Sequence, residues 1–224
     1  MFVPDPLAGL VTPALGTVLA AVSVTGNSTR VINPGTYSSI SVSGNGRLTL
    51  NPGVYVLAGG GFSLSGNGSV TGNGVSFVNM AGASGNTGAI SFSGNGIFSL
   101  TPTTSGSLTG IVIFQPSNNI KALSITGNAA IGLFGTIYAP KAQLSISGNG
   151  NISQSIVVNL LSLSGNGSNL VTSEIAGLSA PAVFSNSQIL SGVYSVSVDY
   201  GSAGFATPEQ SSRLMDAARS AAPR

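Results

Sequence analysis

A four-residue phrase, Ser43-Gly44-Asn45-Gly46, constrains the fold of this chain more than any other feature, because the sequence keeps returning to it. Ser/Thr-Gly-Asn recurs nine times, with its glycine at Gly26, Gly44, Gly66, Gly72, Gly85, Gly94, Gly127, Gly148 and Gly165. Most copies follow a stretch of alternating apolar and polar residues, and Val42, Leu64, Phe92, Ile125, Ile146 and Leu163 each stand two positions before the glycine. Similar gaps separate Gly26 from Gly44, Gly44 from Gly66, Gly127 from Gly148 and Gly148 from Gly165. A period of about 20 residues with one alternating strand per motif is the signature of a stacked solenoid.

A second class of strand lies between the motifs, at 54–57, 75–78, 111–114, 136–139 and 156–158. These runs are almost continuously apolar or aromatic, as strands buried in a parallel stack should be. The two classes are expected to form two sides of each coil, with glycine corners between them. Asn33-Pro34-Gly35-Thr36-Tyr37 is echoed one period later by Asn51-Pro52-Gly53-Val54-Tyr55, each a Pro-Gly turn leading into a strand. The longer interval from Gly94 to Gly127 carries Pro102 and Pro116 and predicts an enlarged turn or an inserted loop. The expectation is an all-β, right-handed parallel β-helix, the hand following the rule for parallel crossovers. About seven coils, at about 4.8 Å each, make a rod of about 35 Å.

The solenoid is expected over 22–171. Residues 1–21 form a lead-in broken by Pro4, Pro6 and Pro13. In 172–206 the alternation of Leu190, Val193, Val196 and Val198 predicts a last strand pair or cap. In 207–224, Thr207 as N-cap and Pro208 at the first position start a short helix with an apolar side of Leu214, Met215, Ala217, Ala218, Ala221 and Ala222. That helix reads as a cap over the open end of the stack, as a frayed tail, or as a docking helix. As a cap, it would block end-to-end stacking, and deleting it would promote filaments.

Composition excludes several classes. Only 5% of residues are charged, against about 25% in an average domain. Yet 42% are apolar, too many for disorder, and the 32 glycines follow the motif and not a collagen triplet. The net charge of +2 rests on twelve charged residues, and Arg30, Arg47, Lys121 and Lys141 are spread through the repeats without a basic face, so no nucleic acid is expected. The chain has no cysteine, hence no disulfide or thiolate metal site. Residues 10–24 are apolar, but they contain Pro13 and no basic segment precedes them, so they make a poor export signal. No run of about 20 apolar residues is present to span a membrane.

The carboxylates decide the chemistry. They are Asp5, Glu174, Asp199, Glu209 and Asp216, with none between Pro6 and Ser173, and the chain has no histidine. The carboxylate pair of a glycosidase, the ligands of a calcium-assisted lyase and a Ser-His-Asp site are therefore all missing from the repeats. A Ser–Lys pair using Lys121 or Lys141 has no supporting motif. Gly59-Gly60-Gly61 lacks the Gly-Lys-Ser/Thr ending of a phosphate loop and reads as a turn. No catalytic residue, cofactor or metal is expected.

Asparagine tolerates a positive φ, and its amide can pair with the same amide one coil above and below, as in cross-β ladders. Asn45, Asn67, Asn95, Asn128, Asn149 and Asn166 are accordingly read as a structural ladder, the competing reading being a row that contacts a ligand. Three functions are compatible with an uncharged rod. A structural or cell-surface module, associating end to end or side by side, fits best. An ice-binding face is the alternative, weakened because Thr25, Thr49, Thr71, Thr101, Thr126 and Thr136 do not fall on one spacing. A non-catalytic glycan-binding module, with Tyr37, Tyr55, Tyr138 and Phe114 stacking sugars, is third, although aromatics at strand positions more often belong to a core.

Asp5-Pro6-Leu7-Ala8-Gly9-Leu10, the Asn-Pro-Gly-x-Tyr and Ser-Gly-Asn-Gly repeats, Gly110-Ile111-Val112-Ile113-Phe114-Gln115 and Gly135-Thr136-Ile137-Tyr138-Ala139 together resemble a known bacterial region. It is the repeat-rich C-terminal part of Tad/Flp pilus-assembly-associated, TadG-like surface proteins, and the resemblance runs over about residues 4–170. It implies an extracellular or cell-envelope location in a bacterium, with pilus or envelope components as partners and no catalytic residues to carry over.

Overall fold

A computed structural model describes residues 5, 7–127, 130–147, 153–164, 170–172, 183–185 and 196–199. The described residues are all-β, without a helix. Short strands follow one another in triplets: β1 (Val18–Leu19), β2 (Val22–Val24) and β3 (Thr29–Ile32), then β4 (Gly35–Tyr37), β5 (Ile40–Val42) and β6 (Arg47–Leu50). The third triplet is β7 (Gly53–Ala58), β8 (Phe62–Leu64) and β9 (Ser69–Gly72), and the fourth is β10 (Val75–Met80), β11 (Ile90–Phe92) and β12 (Ile97–Leu100). The fifth is β13 (Ile111–Phe114), β14 (Leu123–Ile125) and β15 (Ala130–Leu133). The long strands β16 (Thr136–Ser147) and β17 (Ser153–Ser164) follow.

Each strand pairs in parallel with its counterpart one triplet earlier and one later. The first column runs β1, β4, β7, β10, β13, β16, β17. The second runs β2, β5, β8, β11, β14 and then the C-terminal halves of β16 and β17. The third runs β3, β6, β9, β12, β15. A chain that revisits each column once per turn, always in the same direction, is a parallel β-solenoid.

Two sides per coil are expected from the sequence, and the structure has three columns. The additional strands follow the Gly-Asn corner directly. Arg47-Leu48-Thr49-Leu50 alternates exposed and buried, so it forms a strand between Asn45-Gly46 and Asn51-Pro52 in place of a plain turn. The enlargement expected between Gly94 and Gly127 is present as two segments, 101–110 and 115–122, and a further segment, 81–89, separates β10 from β11.

Inward residues of all three columns form one core that includes Ile40, Val42, Leu48, Tyr55, Phe77, Phe92 and Phe98. Rings pack within it: Tyr37 stacks on Tyr55 of the next rung at 6.2 Å, Tyr55 meets Phe77 at a tilt at 5.8 Å, and Phe92 meets Phe98 of the same coil at a tilt at 4.3 Å. Each such pair adds about 0.5–1.5 kcal/mol beyond burial. Asn79, Gln115 and Asn119 are also fully buried and tie the insertions down. Asn79 Nδ2 donates to Gln115 Oε1 (2.8 Å), Gln115 Nε2 to Asn119 O (2.9 Å), and Asn119 Nδ2 to Asn79 O (3.1 Å).

A second apolar cluster lies on the opposite side of the first column, because alternation points Val56, Val78, Phe114 and Tyr138 away from their core neighbours Tyr55, Phe77, Ile113 and Ile137. Leu7, Leu10 and Leu15 of the lead-in pack onto it with Leu108. Tyr138 Oη donates to Asp5 Oδ2 at 2.6 Å, fastening residues 133 positions apart. β1 lies within the stretch read as lead-in, so stacking begins at Val18.

Beyond β17 the pattern changes. β18 (Leu170–Thr172) pairs with β17 in parallel, but β19 (Val183–Ser185) joins β18 and β20 (Val196–Asp199) joins β17 antiparallel. The predicted helix in 207–224 lies outside the described residues.

Candidate functional site

The recurrent phrase makes the corner between the second and third columns. Gly26, Gly44, Gly66, Gly94 and Gly127 stack there with φ of 61°, 66°, 77°, 91° and 91°. A Cβ on Gly94 would lie 2.5 Å from Gly66 O, so both the backbone angle and the neighbouring rung demand glycine. The corner carbonyls are used: Asn45 N donates to Gly26 O (2.8 Å), Asn67 N to Gly44 O (2.8 Å) and Asn95 N to Gly66 O (2.9 Å). Between side chains, Asn45 Nδ2 donates to Asn27 Oδ1 at 2.9 Å. Asn67 and Asn95 occupy the same corner on the next two rungs, and Asn128, Asn149 and Asn166 lie outside the described residues.

Two copies of the phrase serve elsewhere. Thr71-Gly72-Asn73 leads from β9 into β10, at the third-to-first corner, and Ser84-Gly85-Asn86 sits in the 81–89 segment, where Asn86 Nδ2 donates to Gly59 O at 3.2 Å. The Asn-Pro-Gly corner carries an amide pair of its own, Asn51 Nδ2 to Asn33 Oδ1 at 2.7 Å. Sequence reasoning missed this pair, although the echoed Asn-Pro-Gly phrase was its signal. Gly59-Gly60-Gly61 makes the turn from β7 to β8.

The outward side of the second column was missed too. Ser23, Ser41, Ser63, Ser91, Ser124, Ser145 and Ser162 lie in one unbroken register, each flanked by two apolar residues. Thr25, Ser43, Ser65, Ser93 and Thr126 form a parallel line at the corner, with Ser43 N bonded to Val24 O (2.9 Å) and Ser93 N to Leu64 O (2.8 Å). Hydroxyls therefore repeat about every 4.8 Å along the rod and about 6.7 Å across it. The signal was the apolar-Ser-apolar triplet before each glycine; attention to threonine alone hid it.

A shallow cleft of about 330 Å³ opens beside the Asn corner, lined by Asn27, Thr29, Asn45, Arg47 and Asn67. It offers amides, a hydroxyl and one guanidinium but no carboxylate. Among the described residues no three His, Cys, Asp or Glu side chains come together. The aromatics considered for sugar stacking, Tyr37, Tyr55, Tyr138 and Phe114, are all buried. Tyr37 Oη donates to Asn33 O (2.7 Å) and Tyr55 Oη to Asn51 O (2.8 Å), bracing the Asn-Pro-Gly corners. Burial, with Tyr37 alongside, pushes the Tyr55 hydroxyl well above the ordinary tyrosine range, and burial with the Asp5 carboxylate does the same to Tyr138. Lys121 and Lys141 are exposed. No helix among the described residues is long and apolar enough to cross a membrane. Compared with family models, curated proteins and solved structures, the chain has no significant match.

Proposed function

We propose that this chain is a non-enzymatic structural β-solenoid of a bacterial cell surface or envelope, right-handed and of about seven coils, associating with itself or with envelope and pilus components. The observation that carries this reading is the continuous register of the three columns, in which corner glycines, amide pairs and ring stacks are spent on holding one rung to the next. The TadG-like motifs add support. Asp5 of the Asp-Pro-Leu segment meets Tyr138 of the Gly-Thr-Ile-Tyr segment, so two stretches far apart in sequence form one contact. Labelling intact producing cells with a membrane-impermeant amine reagent tests it. Lys121 and Lys141, both exposed, should be modified before lysis, and protection until lysis would sink the surface reading.

The serine columns favour a second reading, an ordered-water face that binds ice, because they give the neutral, two-dimensional hydroxyl array that the threonines do not. Ice recrystallisation assays at micromolar protein decide it: inhibition lost in Ser63→Tyr but kept in Thr71→Tyr supports it, and an inactive parent protein rejects it.

A further inference from the structure

Among the described residues β1, β2 and β3 are terminal strands of their sheets, so one end of the stack presents strand edges with no described partner. At the other end, antiparallel β19 and β20 interrupt the parallel pattern. Leu7, Leu10 and Leu15 of the lead-in lie along the outside of the first column, and Leu19 on the terminal rung stays 45% exposed.

Within this end the third column holds an anomaly. Arg30 pairs in register with Leu48, Leu48 with Val70, and Val70 with Phe98. Those three side chains are core, at 1%, 0% and 0% exposure, so Arg30 occupies an inward position of the terminal rung and is nevertheless exposed. In β2, the second-column strand of the same rung, Val22 and Val24 are buried. An arginine stem is long enough to lie over two such valines while its guanidinium stays in water.

We propose that Arg30 makes this end a self-excluding interface, which turns away the same end of a second copy of the chain and accepts a strand edge that brings a carboxylate. A coil stacked on β1–β3 would enclose the guanidinium in line with the core. Burying a charge without a partner outweighs what strand pairing returns, and inward charges protect sheet edges for this reason. The same end of a second copy cannot supply the partner, because no Asp or Glu lies between Pro6 and Ser173. A foreign strand with a carboxylate at the facing position can. This inference does not depend on the envelope role.

Light scattering and sedimentation on the full chain test it. Arg30→Leu, which extends the leucine of the next rung, should strengthen self-association by about a hundredfold or more. The expected product is a dimer in which two open ends meet about a two-fold axis. Arg30→Glu serves as the carboxylate-bearing probe: it should remain monomeric alone, yet form a salt-sensitive heterodimer when mixed with the parent protein. Arg30 is exposed, so the glutamate variant keeps the test decisive if the leucine variant is recovered poorly. Arg30→Leu associating no more strongly than the parent, or no complex between Arg30→Glu and the parent, overturns the proposal.

Discussion

The outward sides of the first and second columns are built from the same in-register strands and meet opposite fates. On the first, Val56, Val78, Phe114 and Tyr138 form an apolar strip that the lead-in covers through Leu7, Leu10 and Leu15. On the second, the same positions of the pleat carry Ser23, Ser41, Ser63, Ser91 and their successors, and these stay half-buried or exposed. A solenoid fixes its interior by stacking, so the outward residues alone decide whether a column becomes a second core or a free surface. The difference lies in one residue per rung. It predicts that a substitution's cost follows the column it faces.

The largest effect should come from placing a charge on each side. Val78 is fully buried in the covered strip, so Val78→Asp strands a carboxylate without a partner and should cost about 3–5 kcal/mol in urea unfolding. Ser63→Asp, on an exposed position of the second column, should change stability by less than about 0.5 kcal/mol. Equal losses would show that the strip is not a core.

The clamp that closes the strip comes next. Removing the hydroxyl in Tyr138→Phe or the carboxylate in Asp5→Ala should each cost about 1–2 kcal/mol, the range for a hydrogen bond to a charged group. The double variant should cost clearly less than the sum, because both changes remove one interaction. Additive losses would mean that the two residues act separately and the lead-in is held by its leucines alone.

These contrasts were unevenly legible in the sequence. The solenoid could be read because glycine at the corner is demanded twice, by its φ and by the neighbouring rung, and a constraint repeated every turn writes itself into the chain as a period. The third column could not, because Arg47-Leu48-Thr49-Leu50 is short and sits between two turn motifs, so local propensity gave it to the turn. The covered strip was invisible for another reason. Val78 and Phe77 are both apolar, and nothing local says that one faces the core and the other a lead-in far upstream in the chain. The serine column was fully present as apolar-Ser-apolar triplets. The Asn corner pairs were half legible: Asn45 bonding to Asn27 follows the motif, whereas Asn51 bonding to Asn33 belongs to a different corner with the same spacing.

Alkali should separate the two sides next. Tyr138 in the covered strip and Tyr55 in the core are both held neutral above the value of an unfolded tyrosine, about 10. A raised value means that their contribution is complete below pH of about 10 and is lost as the pH climbs toward the folded-state values. With no histidine in the chain, the melting temperature should stay flat near neutrality and fall in alkali. Tyr138→Phe should make that alkaline fall shallower, whereas Ser63→Asp should leave its slope unchanged. A fall already complete near pH 8 would show that neither hydroxyl is the cause.

The smallest expected effect is on the free side. Ser63→Thr adds one methyl at a position whose strand neighbours are Ser41 and Ser91. A β-branched residue suits an extended strand better than serine, so the change should stabilise by at most about 0.5 kcal/mol. The same methyl has nothing to pack against unless the face is covered in solution. If Ser63→Thr raised stability by more than about 1 kcal/mol, it would be gaining the burial of a methyl group, and the second column would then have a cover of its own like the first. A change within about 0.5 kcal/mol leaves the serine face as a surface open to whatever the rod meets.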